Sequence, residues 1–242
     1  MNSIKSLFGA YCIIQLLLVK SIIIIPLIMK SYKWIFWDND GVLVDTEKLF
    51  FQANREILSS IDIDLTRESF IQISLKEGRS TFTLAQEKGI DPKTIHQLHE
   101  HRNLRYSELL NQGVGAMEMV CETLEQLVDR VSMGVVTSCR RAHFDIIHQT
   151  TDLLNYFDFV ITHEDVHNGK PHPEPYLKAL GKSGCKASDC LVIEDSERGL
   201  SAAKAAGIKC IVIPNGFTSQ GDFGGAYRIL ENVQQVVEEV LG

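Results

Sequence analysis

The stretch Trp34-Ile35-Phe36-Trp37-Asp38-Asn39-Asp40-Gly41-Val42-Leu43-Val44-Asp45-Thr46-Glu47 decides how the chain is read. Its apolar start has the length of a buried strand. Asp38 and Asp40 stand at the carboxyl end of that strand, and Gly41 follows at once. In an open α/β sheet this is the end where ligands bind. Two carboxylates separated by one residue, where strand gives way to loop, can share a hard cation and leave an oxygen free to attack an electrophile. Asp-Gly is also a common turn dipeptide, so the segment alone is equally consistent with a strand followed by an acidic turn.

Downstream of Glu47 the pattern turns helical, with Leu49, Phe50, Ala53, Ile57 and Leu58 at helix spacing. Residues 47–112 lack strand-like alternation and read as a helical insert, broken at Gly78, at Gly89-Ile-Asp-Pro92 and at Gln112-Gly113. From Val114 helices and strands alternate. Strands are expected at Val131–Thr137, Phe157–Thr162, Cys190–Glu194 and Lys209–Ile213. Helices are expected at Met117–Val128, Ala142–Thr150, Glu174–Lys182, Glu197–Ala206 (with Gly207 closing it) and Ala226–Leu241. This order predicts an α/β protein with a doubly wound parallel sheet. Its Rossmann-like core is discontinuous, comprising residues 30–46 and 113–242, with the helical cap 47–112 between them.

The net charge is −7, and the first 33 residues hold Lys5, Lys20, Lys30 and Lys33 without an acid, so the remainder carries −11. An acidic body speaks against nucleic acid as a partner, which wants a basic face. The six cysteines form no C-x-x-C pair and mostly sit in apolar runs, as buried thiols of a reducing compartment do, and they give no support for a zinc site. Between Ala10 and Met29, 16 of 20 residues are apolar, the length of a membrane span. Its Ile, Leu and Val residues contribute about −6 kcal/mol to insertion, and Lys20 alone returns about +3. Lys-Ser-Tyr-Lys after Met29 offers no small-residue cleavage site. Three readings of residues 1–29 stay open: a stretch upstream of a working start at Met29, a membrane anchor, and a signal peptide or added helix. The first implies a cytoplasmic protein.

A parallel sheet brings its carboxyl edges together, so the other strand ends matter. Thr137 and Ser138 follow one strand, and their hydroxyls can hold phosphate oxygens. Glu194, Asp195 and Ser196 follow another. Gly169-Lys170-Pro171-His172-Pro173 offers a cation on a loop stiffened by prolines. Separately, these are a helix cap, an acidic turn and a surface lysine. Together they form a site whose crowded carboxylates call for a divalent cation, and whose lysine can neutralise a phosphoryl group.

The motifs Asp38-x-Asp40-Gly41, Val136-Thr137-Ser138, Gly169-Lys170-Pro171 and Val192-Ile-Glu194-Asp195-Ser196-x-x-Gly199 resemble, in this order, those of the haloacid dehalogenase superfamily. The resemblance covers residues 34 to about 214. Within the superfamily it is to the helical-cap branch and the phosphatases grouped with β-phosphoglucomutase. It implies that Asp38 is the nucleophile and that Asp40 is the general acid and base. It also implies Mg²⁺ held by Asp38, the Asp40 carbonyl, Glu194 and Asp195, and phosphoryl contacts from Thr137 or Ser138 with Lys170. The superfamily's dehalogenases lack the second aspartate, so Asp40 disfavours dehalogenation. Ser74-Leu-Lys76-Glu-Gly-Arg79-Ser80 is similar to the cap loop that meets sugar phosphate in β-phosphoglucomutase, which makes Lys76 and Arg79 candidate substrate contacts. The alternative is an exposed loop. His96, His99 and His101 read as a polar helix face rather than a metal site, and Asn39 and Cys139 receive no role.

The expected function is thus hydrolysis of a small phosphorylated metabolite, by a monomer or weak dimer. The alternatives are a hexose-phosphate mutase using the same nucleophile and a non-catalytic binding protein on the same fold.

Overall fold

Strand β1 (Trp34–Trp37) has Ile35, Phe36 and Trp37 wholly buried, so both of its faces are covered, as in sheets flanked by helices on two sides. The computed structural model describes residues 32–242. Residues 1–29, with the anchor, signal and alternative-start readings attached to them, lie outside the described residues.

After β1 come the helices α1 (Glu47–Ser59), α2 (Arg67–Phe70), a wide turn of helix at Ile71–Lys76, α3 (Thr83–Glu87) and α4 (Pro92–Leu110). The chain then runs through α5 (Val120–Leu127), β2 (Ser132–Val136), α6 (Arg141–Ile147), β3 (Phe159–Ile161), α7 (Glu174–Ser183), β4 (Cys190–Glu194), α8 (Glu197–Ala205) and β5 (Lys209–Val212). It ends with β6 (Arg228–Ile229) and α9 (Gln235–Leu241). The sheet order is β3-β2-β1-β4-β5-β6, and every pairing is parallel. Strand β1 therefore lies where the winding reverses, the position whose carboxyl end opens a crevice.

Alternate residues of the strands feed two apolar layers. Ile35, Trp37, Met133 and Val135 pack with α5, α6 and α9 through Leu124, Phe144 and Val236. Phe36, Val136 and Val192 pack with α7 and α8 through Tyr176, Ala179 and Leu200. The helices inserted after β1 have their own cluster, centred on Leu58, Leu65, Phe70, Phe82 and Leu98. The Phe50 and Tyr106 rings meet edge-on, 5.1 Å apart, between α1 and α4.

Two expectations differ from the structure. The helix expected from Met117 begins at Val120, because Met119 takes a left-handed conformation with φ 63°. The helix expected over Ala226–Leu241 is first a strand. Tyr227 and Leu230 donate backbone hydrogen bonds to the Cys210 and Val212 carbonyls of β5. β6 has only two residues, both exposed, so no alternation marks it.

Gly134 on β2 lets the Phe159 ring lie on the sheet. A Cβ at this position would stand 2.5 Å from that ring, which also stacks on Trp34 at 5.3 Å. Gly134→Ala is predicted to lower stability by about 1–3 kcal/mol through overpacking. A urea-unfolding midpoint equal to that of the parent would contradict this packing.

Candidate active site

The two neighbours of β1 in the sheet bring the motif residues to one place. Asp38 leaves β1 with its N–H bonded to the Ile193 carbonyl of β4, and Thr137 leaves β2 bonded to the Ile161 carbonyl of β3. Glu194 ends β4 and Asp195 follows it. The turn after Asp40 needs Gly41. Its φ is 80°, and a Cβ there would lie 2.4 Å from both the Asp195 carboxylate and the Asn215 amide.

Lys170 is 5% exposed. Its ammonium donates to Asp38 Oδ1 at 2.8 Å, Glu194 Oε1 at 2.6 Å and the Val136 carbonyl at 2.8 Å. An ammonium has three N–H groups, and all three are used. Burial works against its charge, yet Asp38 and Glu194 hold it above the usual lysine range. The fully buried Glu194 also accepts from the Tyr176 hydroxyl at 2.6 Å and the Ser196 hydroxyl at 3.1 Å. Gly199 makes room for it, since a Cβ there would lie 1.8 Å from the Glu194 carboxyl carbon.

Carboxylates outnumber cations at this point. Burial, then Glu194, pushes Asp38 up to about 7 against the pull of Lys170. Burial, then Asp40, pushes Glu47 up to about 8. Burial, then Glu47, holds Asp195 well above the usual range. Asp38, Glu194 and Asp195 each present an oxygen within 4.8 Å of the others. Three buried, mutually repelling oxygen ligands suit one hard divalent cation, which would remove the repulsion.

Asp40 is held differently. Thr46 Oγ1 donates to its Oδ1 at 2.6 Å, while Thr137 Oγ1 at 3.1 Å and Asn39 Nδ2 at 3.3 Å donate to its Oδ2. Thr137 is thereby engaged, whereas Ser138 is exposed on the wall of the adjoining cavity.

That cavity, of about 440 Å³, is bounded by Asp38, Asp40, Thr137, Ser138, Lys170 and Asp195 on the sheet side. Ser74, Leu75, His99, Arg102 and Asn103 from the inserted helices also line it. Lys76 and Arg79, the candidate substrate contacts read from the sequence, are not among the lining residues. Lys76 turns away to the Gln220 carbonyl at 3.3 Å and Glu197 at 3.6 Å, and Arg79 pairs with Glu77. Arg102 lines the cavity instead. Its guanidinium donates to Asn54 Oδ1 at 2.9 Å and Asn103 Oδ1 at 3.0 Å and lies 4.7 Å over the Phe50 ring. No carboxylate pairs with it among the described residues. His99, Arg102, Asn103 and Tyr106 recur at helical spacing on α4, a signal present in the sequence but masked by polar composition. Arg198, from α8, also lines the cavity, and it donates to the carbonyls of Lys170 and Ser74.

Residues 35–213 match the haloacid dehalogenase-like hydrolase family, and the chain belongs to that family. It is 33% identical over 182 residues to the phosphorylated carbohydrates phosphatase of Thermotoga maritima, covering 73% of this chain and 82% of that protein. The fructose-1-phosphate phosphatase YqaB of Escherichia coli is 26% identical over 188 residues, which is 75% of this chain and 96% of that one. CbbY from Rhodobacter sphaeroides, solved in complex with phosphate, shares the fold with a TM-score of 0.73 at 23% identity, covering 85% of this chain and 96% of that one. The chain is a phosphoric monoester hydrolase of this family.

The raised carboxyl groups give the metal-free protein a defined pH dependence. The unfolded chain releases these protons near the ordinary values of 3.8 for Asp and 4.5 for Glu, while the folded protein keeps them to about 7 and about 8. Stability therefore falls as pH rises through that window. The buried His148, pushed down from 6.5 to about 4, opposes this at lower pH, so the urea midpoint of metal-free protein is predicted to drop between about pH 6.5 and pH 8, and a divalent cation added at the higher pH should restore it. A midpoint that climbs over this range would contradict the assignment.

Proposed function

We propose that the chain is a Mg²⁺-dependent phosphatase of a small phosphorylated metabolite, namely a sugar phosphate or a phosphorylated sugar acid or polyol. The observation that carries this reading is the buried Lys170 ammonium, 2.8 Å from one oxygen of Asp38 and bonded to Glu194. The other Asp38 oxygen is left to attack phosphorus. Asp38 forms the P–O bond of an aspartyl-phosphate as the bond to the sugar oxygen breaks. Asp40 gives its proton to the departing oxygen and later takes one from the water that hydrolyses the intermediate. Ser138 holds the phosphoryl oxygens, Lys170 offsets their charge from beside Asp38, and Thr137 supports Asp40. Mg²⁺, held by Asp38, Glu194, Asp195 and the Asp40 carbonyl, would neutralise charge on the transferred group.

Residues 47–112 act as the cap over a core of 30–46 and 113–242. The substrate's far end meets Arg102, His99 and Asn103, whose donors suit hydroxyl or carboxylate oxygens. Two kinds of relatives support a phosphorylated carbohydrate, the phosphorylated carbohydrates phosphatase and the fructose-1-phosphate phosphatase. The unpaired thiols of the described cysteines fit a reducing, cytoplasmic setting.

The test is phosphate release from a panel of phosphorylated sugars, sugar acids and polyols, with Mg²⁺ or with a chelator. Release should require the metal. Asp38→Asn should lower kcat by at least about 10³-fold without unfolding the protein. Full activity in that variant would overturn the nucleophile assignment, and isomerised sugar without free phosphate would reassign the chain as a mutase. Arg102→Met should raise KM for the best substrate by about tenfold, the loss of one charge-assisted hydrogen bond. An unchanged KM would remove Arg102 from the substrate's surroundings.

A further inference from the structure

The reaction proposed above gives the buried His148 no role. His148 caps the C-terminal end of α6 and is 7% exposed. Its Nδ1 lies 2.7 Å from Thr151 Oγ1, and its Nε2 lies 2.8 Å from Asn39 Oδ1. Asn39, wholly buried, points its Nδ2 at Asp40 Oδ2. Thr151, His148, Asn39 and Asp40 thus form one line of hydrogen bonds.

The direction of that line is fixed by chemistry. A side-chain amide oxygen only accepts, so His148 Nε2 must carry a hydrogen. Burial keeps the imidazole uncharged, with its pKa pushed down to about 4, so Nδ1 is bare and accepts from the Thr151 hydroxyl. Anchored by its oxygen, the Asn39 amide turns its NH₂ toward Asp40. A flipped amide would set oxygen against oxygen at the ionised Asp40 carboxylate. The turn itself does not need this side chain. It is closed by the Asn39 main-chain carbonyl, which accepts from the N–H groups of Leu43 at 2.8 Å and Val44 at 3.1 Å.

We propose that His148, acting through Asn39, is a positioning residue for Asp40. The inference rests on Asp40 being the proton donor of the proposed phosphatase reaction. As the P–O bond to the leaving oxygen breaks, the proton passes from Asp40 to that oxygen and leaves Asp40 ionised. The Asn39 N–H, held in place by His148, stabilises that ionised carboxylate in the transfer orientation. Neither Asn39 nor His148 gains or loses a proton.

Such a role depends on the leaving group, which distinguishes it from a contribution to folding. An alkoxide leaving from a sugar phosphate needs the proton, whereas p-nitrophenolate scarcely does. kcat/KM, which reports the step up to bond cleavage, is measured on both esters for His148→Leu, His148→Gln and Asn39→Ala. His148→Leu is expected to lose about tenfold on the sugar phosphate and less than about twofold on p-nitrophenyl phosphate. His148→Gln, which can still donate to Asn39, should recover most of the loss. Asn39→Ala, which keeps the main-chain turn, should share the leucine signature. In an Asp40→Asn background His148→Leu should cost nothing further. Equal losses on both esters, or an undiminished loss in that background, would overturn the proposal. Wild-type protein that releases phosphate from neither ester would sink the phosphatase reading itself, and this inference with it.

Discussion

The Lys170 ammonium is a full charge almost without water, and its surroundings are arranged to keep it charged. Its three hydrogens reach the carboxylate after β1, the last carbonyl of β2 and the carboxylate ending β4. The same contacts that offset its desolvation therefore clamp three adjacent strand ends together. Removing one partner of such a buried arrangement typically costs about 3–5 kcal/mol, because the remaining charge is stranded. The chemistry and the integrity of the sheet's carboxyl edge thus share one group.

Around that clamp the acidic residues divide into two kinds. Asp38, Glu194 and Asp195 are crowded and buried, and Asp38 and Asp195 are pushed toward protonation, which suits sharing a cation. Asp40 is held by hydroxyls and an amide rather than by a cation. A carboxyl group bound by neutral donors is kept in place without being locked as an ion pair, which suits the proton transfers proposed for it. Asp38 and Asp40, separated by one residue, are thus held in different ways by their neighbours.

The core of this arrangement was legible in the sequence because a parallel sheet has simple rules. Uninterrupted apolar runs mark strands buried on both faces, and their carboxyl ends converge. Asp38, Asp40, Thr137, Glu194 and Asp195 each sit at such an end, so local pattern alone brought them together. Lys170 lies on a loop and was located by its glycine and prolines. The remainder depended on information that no local pattern carries. Asn39 and His148 are 109 positions apart, and nothing in either neighbourhood signals the other. Arg102 looks like a solvated helix residue until α1 supplies Asn54 and Phe50 around it. The wide helical turn at Ile71–Lys76 gives the cavity to Ser74 and Leu75 and sends Lys76 toward Glu197, which no local pattern marks.

The claim on which the account turns is that Asp38 itself receives the phosphoryl group. Rapid acid quenching during turnover of a ³²P-labelled substrate, followed by peptide mapping, tests it most directly. Label recovered on the peptide carrying Asp38, and released by mild base as an acyl phosphate is, is the predicted result. Label found on a different residue, or never found on protein while turnover proceeds, would contradict it.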